Sequence, residues 1–158
     1  MPLADVRIDE TLWSRASPER RREWGQAARE LVEEHRIADG APLRLEIRLD
    51  GGDAVLEATT IDGERAATIA VPMSALRPHF QEYIAICRDL GRLGESQQSP
   101  RLEALDIAKR LSHDEAADTL VPLVAALGAD HATCRRLFTL LVTLQFDTTR
   151  LALPHHRR

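Results

Sequence analysis

The feature that most constrains this sequence is an apolar run near its C-terminal end, residues 130–146. Asp130 can accept from the first free N–H groups of a helix, so it predicts an N-cap there. At about 100° per residue, the apolar side chains that follow cover an arc of roughly 200°, wider than the stripe of a surface helix. The remaining polar seam is narrow and consists of Arg135, Arg136, Thr139 and Thr143. We therefore expect this helix at the centre of the fold, with several elements packed on it.

Gln145 falls within the apolar arc of this helix. A buried amide that lacks a hydrogen-bond partner costs about 1–3 kcal/mol. Gln145 therefore either has a polar partner across the core or lies in a frayed last turn, and the sequence leaves both open. The β-branched residues of the run also allow a strand, but the capped start and the length favour a helix.

The N-terminal half has the alternation of a β-sheet. Residues 43–49 alternate strictly between apolar and polar side chains, and Asp50-Gly51-Gly52-Asp53 is typical of a hairpin turn because glycine supplies positive φ. Residues 54–61 form the return strand, and residues 65–71 form the next. Residues 4–9 predict a short first strand. We expect an antiparallel meander of three to four strands, with one polar face.

Helix start signals bracket this meander. Ser17-Pro18-Glu19 combines an N-cap, a first-turn proline and an early acid. In the C-terminal half, Ser74, Ser99-Pro100, the capping box Ser112-x-x-Glu115 and Asp130 predict about four helices. The fold class is thus α+β, a meander packed against an N-terminal helix and a C-terminal helical bundle.

The length of 158 residues suits one domain with its own core. We assign residues 1–146 to this domain and residues 147–158 to a basic C-terminal tail. Residues 131–158 carry five arginines and one acidic residue, although the whole chain has a net charge of −4. A basic end on an acidic body is typical of a surface that meets a partner, whereas the negative net charge disfavours general nucleic-acid binding.

Cys87 and Cys134 both lie in apolar helical segments. They predict buried thiols in a reducing cytosol, because neither has a second cysteine or a histidine at ligand spacing. The sequence has no apolar run of about 18 residues and no signal-peptide pattern at its N-terminus. We expect a cytoplasmic protein with no membrane span, no metal and no cofactor.

One helical face combines groups of different chemistry. Glu103, Asp106, Arg110 and His113 fall within an arc of about 80° through their 3-4-3 spacing. Two carboxylates, a guanidinium and an imidazole could form an acid–base site or an interaction surface. The commonest structure for such a face is a solvated one with ordinary ion pairs, and Asp106 and Arg110 have the spacing of one.

Seven blocks of sequence carry a resemblance to a known family: Ser17-Pro18-Glu19, residues 31–34, Glu82-Tyr83, Ile86-Cys87, residues 101–106, Leu111 with His113 and Glu115, and Thr133 with residues 135–140. Through these blocks the sequence, from about Asp5 to Phe146, resembles uncharacterised protein family 0262, a group of small alphaproteobacterial proteins. It is identified as a divergent member of this bacterial family. The resemblance implies no activity, because none is established for the family.

The departures from the family pattern concern histidines. The family has a His-Glu-Arg triplet where this chain reads Arg22-Glu23-Trp24, and histidine followed by tryptophan where this chain reads Gln145-Phe146. Of three characteristic histidines, His113 remains. Glutamine cannot shuttle protons near neutral pH and is a poor zinc ligand. If those histidines form a metal or acid–base site in the family, this chain has lost that site, which disfavours an enzyme.

The sequence thus favours a non-enzymatic interaction or regulatory module in the cytosol. Its expected binding surface consists of Asp106, Arg110, His113, Arg135 and Arg136. The alternative is a small hydrolase- or transferase-like enzyme with Glu103 or Asp106 as base, His113 as acid and arginines for an anionic substrate. A third hypothesis is weak nucleic-acid contact through Arg150 to Arg158. The expected partner is another protein or, through an exposed sheet edge, a second copy of the chain.

Overall fold

A computed structural model describes residues 3–34, 42–93, 100–149 and 151. It confirms the α+β class. The elements, in chain order, are β1 (Leu3–Ile8), α1 (Glu10–Arg15), α2 (Pro18–Glu34), β2 (Leu43–Asp50), β3 (Asp53–Thr60), β4 (Arg65–Pro72), α3 (Met73–Leu93), α4 (Pro100–Leu123), a 3-10 turn (Ala125–Leu127) and α5 (His131–Gln145). No helix within the described ranges has the length and apolarity needed to cross a bilayer.

The four strands form one sheet in the order β1-β2-β3-β4. The pairs β2–β3 and β3–β4 are antiparallel, as predicted, and the hairpin between the first two turns at Gly51 (φ 61°) and Gly52 (φ 135°). Strand β1, the predicted short first strand, joins this three-stranded antiparallel meander beside β2 and runs parallel to it. The reason is the connection, because α1 and α2 together form a crossover that returns the chain to the end of the sheet where β1 began.

The two faces of the sheet differ. Ile47 and Leu56 on the inner face are fully buried in the core that the sheet forms with the helices. On the outer face, Glu57 accepts from Arg48 at 3.1 Å and pairs with Arg65 at 3.3 Å, and both arginines reach solvent. The core therefore lies on the helical side of the sheet alone.

Helix α5 is the central element, as its composition predicted. Every residue from Thr133 to Leu144 except Arg135 and Arg136 is buried, with α2 on one side and α4 on another. Asp130 is the predicted N-cap, and its carboxylate accepts from the Thr133 amide at 2.8 Å. Thr139 and Thr143 are buried because their hydroxyls donate to carbonyl oxygens of the helix itself, at 3.3 and 2.7 Å.

The predicted helix start at Ser112-x-x-Glu115 is wrong. Helix α4 passes through this segment without interruption, and Ser112 is a fully buried mid-helix residue whose hydroxyl has no hydrogen-bond partner in the part of the chain described. Two of the predicted helices are therefore one long helix, which ends directly after Pro122. Beyond α5, Thr148 is fully buried and donates to Glu23 at 2.9 Å, so packed structure extends past residue 146.

Candidate functional site

The polar face predicted on α4 divides between solvent and core. Glu103, Asp106 and Arg110 are exposed, whereas His113 is buried at 8% exposure. The boundary between the solvent side and the core side of α4 passes through the arc of about 80° that contains these four residues. The structure therefore does not assemble Glu103, Asp106 and His113 into one acid–base group.

His113 faces α5. Its Nε2 lies 2.8 Å from the carbonyl oxygen of Arg135 and 2.9 Å from the hydroxyl oxygen of Thr139. A carbonyl oxygen only accepts, so Nε2 carries the proton and donates it to Arg135. The imidazole also packs against the rings of Tyr83 and Phe138, with centroids 5.5 and 5.7 Å away. His113 thus joins α3, α4 and α5.

Burial keeps this imidazole neutral. Loss of solvent, together with the smaller effect of the positive charge of Arg135, lowers the pKa of His113 to about 4. Near pH 7 the ring is uncharged and its Nε2 proton is committed to a backbone carbonyl. The geometry gives His113 a packing and hydrogen-bonding role and no access to a substrate.

The thiols near this cluster are equally inert. Burial raises the pKa of Cys87 to about 11, and raises the pKa of its neighbour Tyr83 well above the ordinary value. Burial raises the pKa of Cys134 to about 12. A thiolate is the nucleophilic form of cysteine, so both cysteines stay protonated at neutral pH. They are free and buried, which confirms the expectation of buried thiols.

Arg135 and Arg136 form ion pairs within the fold. The Arg135 guanidinium pairs with Asp114 on α4. The Arg136 guanidinium lies 3.6 Å from Glu30 on α2, a carboxylate that is 5% exposed. Gln26 donates to the other oxygen of Glu30 at 3.2 Å. The polar seam of α5 therefore ties its two helical neighbours to it and leaves little of either guanidinium for a partner.

An apolar pair on the solvent side of α4 was not among the site residues predicted from the sequence. Ile107 is 54% exposed and Leu111 is 56% exposed, although the inward side of the same helix is built from small and apolar residues. Their spacing of four residues places both in the middle of the exposed arc, between the predicted Asp106 and Arg110 on one flank and Ala104 on the other. The sequence does contain a signal for this exposed pair, because the apolar residues of α4 are distributed around the whole circumference of the helix.

The segments around Arg22 and Gln145, where the resemblance implied histidines, meet where α2 packs on the end of α5. Trp24 donates through Nε1 to the Thr143 carbonyl at 2.8 Å, and Arg20 donates to the same oxygen at 3.1 Å. Arg22 and Gln145 are both exposed. Gln145 is the last residue of α5, so it needs no partner across the core.

No group of three or more His, Cys, Asp or Glu side chains suited to a metal ion occurs among the residues that the structure describes. The tail arginines of the nucleic-acid hypothesis, at positions 150, 157 and 158, lie outside the described residues.

Comparison with known proteins points to one family. A sequence profile described as "Uncharacterised protein family (UPF0262)" matches residues 1–147. A protein of that name from Rhizobium etli is 34% identical over 147 residues, which cover 90% of this chain and 93% of the relative. A relative from Rhizobium johnstonii is 33% identical over the same length, and one from Brucella canis is 31% identical over 150 residues, 91% of this chain and 93% of the relative. No solved structure matches.

Proposed function

The chain belongs to the uncharacterised protein family UPF0262, and we propose that it is an interaction module that binds a protein partner through the outer face of α4. We define the α4 face as Glu103, Asp106, Ile107, Arg110 and Leu111. The observation that carries the proposal is the exposure of Ile107 and Leu111 at 54% and 56%. Both side chains stand in the middle of a helix face that no other element in the described part of the chain covers.

This face has the layout of a helix that docks into a groove. Apolar residues four positions apart are the anchors that such helices present to a partner. Glu103 and Asp106 lie toward the N-terminal end of the face and Arg110 lies beside the anchors, all three exposed. Interfaces are commonly apolar at the centre and charged at the rim, and the rim charges select the partner and speed its association.

The other half of the predicted surface supports this face from behind. Arg135 and Arg136 hold α4 and α2 against α5 through Asp114 and Glu30. His113 fastens α4 to α5 through a backbone carbonyl. These contacts fix the orientation of α4, so Ile107 and Leu111 are presented on a rigid element.

The enzyme hypothesis lacks a comparable observation. It required Glu103 or Asp106 to work with His113, and the carboxylates face solvent while the imidazole faces the core. A general acid must reach the proton that it transfers within about 3 Å. Nothing in the described geometry gives the committed Nε2 proton of His113 such a path.

A photo-crosslinking amino acid placed at Ala104, an exposed residue on the rim of the α4 face, would test the proposal in cells. We expect a discrete crosslinked species that disappears when Leu111→Glu is added, because a carboxylate at the centre of an apolar contact is costly to desolvate. Leu111 is more than half exposed, so thermal unfolding of Leu111→Glu should match that of the parent protein.

Ile61 offers a matched control. It is an exposed aliphatic residue, 45% exposed, at the turn between β3 and β4 and away from the α4 face. The Ile61→Glu variant should keep the crosslinked species. A crosslink that survives Leu111→Glu, or that is lost equally in Ile61→Glu, would show that the α4 face is not the binding surface.

A further inference from the structure

Strand β1 leaves one edge of the sheet open. It is the first strand in the order β1-β2-β3-β4, and no strand in the described part of the chain lies beyond it. An edge strand presents a row of unpaired N–H and C=O groups that can pair with another strand.

The contacts of β1 with β2 settle the direction of its backbone groups. The Asp9 amide donates to the Ile47 carbonyl of β2 at 2.8 Å. Successive residues of a strand direct their N–H and C=O groups to opposite sides, so Asp5 and Arg7 also bond to β2, in register with Arg44 and Glu46. Val6 and Ile8 then direct their backbone groups to the open edge.

The charged residues of β1 are complementary to those of a second β1 strand that is related to it by a two-fold axis. Asp5 and Arg7 are its charged residues, and Val6 stands between them. When two β1 strands pair antiparallel with Val6 opposite Val6, each Asp5 lies opposite Arg7 of the second copy. Centring the pair on Asp5 or on Arg7 instead would place Asp5 opposite Asp5 or Arg7 opposite Arg7, which is destabilising.

The hydrogen-bond direction is consistent with the same register and excludes the two registers that pair like charges. A symmetric antiparallel pair that exchanges both hydrogen bonds must be centred on a residue whose N–H and C=O face the open edge. Val6 meets this requirement, whereas Asp5 and Arg7 do not. Asp5 and Arg7 already form a salt bridge of 2.6 Å within the strand, with their side chains 40% and 64% exposed. Pairing would give each of them a second partner of opposite charge.

A groove beside β1 provides room for the second strand. Its volume is about 560 Å³, and it is bounded by β1, Trp13 and the side of α2 that carries Trp24, Gly25 and Arg29. In the register centred on Val6, Ile8 of the second copy falls on the side of Ala4, a small residue that also lines this groove.

We propose that two copies of this chain associate by antiparallel pairing of their β1 strands about Val6, so that two four-stranded sheets become one continuous sheet. This surface is separate from the α4 face and does not depend on it. The pairing removes the open edge of β1, which is otherwise a site for uncontrolled strand addition.

Charge reversal gives a specific test by sedimentation velocity on the full chain. Wild type should be a dimer. Asp5→Arg and Arg7→Asp should each raise the dissociation constant by about tenfold or more, because two attractive cross-strand pairs become two repulsive ones. An equimolar mixture of Asp5→Arg and Arg7→Asp should dimerise again, because every arginine of one variant then faces an aspartate of the other.

Recovery in the mixture excludes misfolding as the cause of the single-variant effect, since neither chain is altered by mixing. Glu82→Arg, an exposed charge reversal on α3, should remain dimeric, as should Leu111→Glu on the α4 face. A monomeric wild type, or a mixture that stays monomeric, would overturn the proposal. So would a dimer that Leu111→Glu dissociates and the β1 variants do not, because the α4 face would then be the interface.

Intrinsic fluorescence gives a second measurement. The chain has two tryptophans, Trp13 and Trp24, and both line the groove. Trp13 is 37% exposed, so its emission should shift to shorter wavelength as dilute protein is concentrated and the groove fills. The shift should be absent in Arg7→Asp alone and return in the mixture with Asp5→Arg. An emission maximum that is independent of concentration in a dimerising sample would place the interface elsewhere.

Discussion

Replacing His113 with glutamine should remove a large part of the acid sensitivity of the fold. Burial lowers the pKa of His113 from 6.5 to about 4. As pH falls, the unfolded chain therefore takes up this proton first, and the folded protein does so only near pH 4. Stability is present above pH 6.5 and is lost progressively between pH 6.5 and about 4.

The magnitude follows from the width of that window. When one proton is bound only by the unfolded state, the free energy of unfolding falls by about 1.4 kcal/mol for each unit by which the pH is lowered. Across the window from pH 6.5 to about 4, His113 should therefore remove about 3 kcal/mol. For a domain whose whole stability is about 5–15 kcal/mol, this loss is easily measured.

Urea unfolding at a series of pH values from 7 to 4 is the suitable assay. The side-chain amide of His113→Gln can still donate to the Arg135 carbonyl but does not titrate, and the carboxylates of the two proteins are the same. The difference in pH dependence between wild type and His113→Gln therefore isolates the imidazole. We expect the wild-type curve to fall by about 3 kcal/mol more over this range.

Ser112→Ala, at the adjacent buried position, is the control and should keep the wild-type pH dependence. Parallel curves for wild type and His113→Gln would refute the reasoning. An imidazole proton resonance of His113 that titrates near its unfolded pKa would do the same, because it would mean that the ring is neither desolvated nor held beside Arg135.

Four further substitutions give results that chemical denaturation can check. Asp130→Ala should lower the free energy of unfolding by about 1 kcal/mol, because the Thr133 amide loses its capping acceptor, and an unchanged denaturation midpoint would contradict that role. Ser112→Ala should leave stability unchanged or raise it by about 1 kcal/mol, since the buried hydroxyl has no partner among the described residues; a clear loss would indicate a hydrogen bond that this geometry lacks. Leu111→Ala should change stability by less than about 0.5 kcal/mol, whereas the same change at Leu120, fully buried on the opposite side of α4, should cost about 2–5 kcal/mol. Equal costs at the two positions would mean that the α4 face is covered within the fold.

The sequence was most informative where one local rule decides the structure. Asp130 fixed the start of α5, and the two glycines at positions 51 and 52 fixed the hairpin, because a cap and a positive φ need only their own neighbours. The breadth of the apolar arc predicted the central position of α5. These features required no knowledge of distant parts of the chain.

The sequence was less informative where a local rule competed with packing or where the connection between elements decided the structure. Ser112-x-x-Glu115 has the residues of a capping box, but a cap forms only where the backbone leaves the helix. Ala116, Ala117 and Leu120 continue the buried side of α4 beyond His113, so burial favours an unbroken helix. The orientation of β1 depended on the connection rather than on the strand, and a long crossover before β2 would have predicted parallel pairing.

The candidate site was harder to predict because exposure is a property of the tertiary arrangement. Asp106, Arg110 and His113 share one arc of α4, yet the boundary between solvent and core passes through that arc at a place that only the packing of α3 and α5 defines. The same packing places Arg135 and Arg136 in ion pairs with Asp114 on α4 and Glu30 on α2.

The central helix also accounts for where binding surfaces can form. Because α5 is buried along almost its whole length, its role is to fix the elements around it, and the surfaces left for partners belong to those elements. The α4 face and the open edge of β1 are both backed by contacts with the core, and neither includes Arg22 or Gln145. A histidine at either of these two exposed positions would therefore leave both proposed surfaces intact. Gln145→His should change neither dimerisation through β1 nor partner binding through the α4 face, and a change in either would connect the end of α5 to that surface.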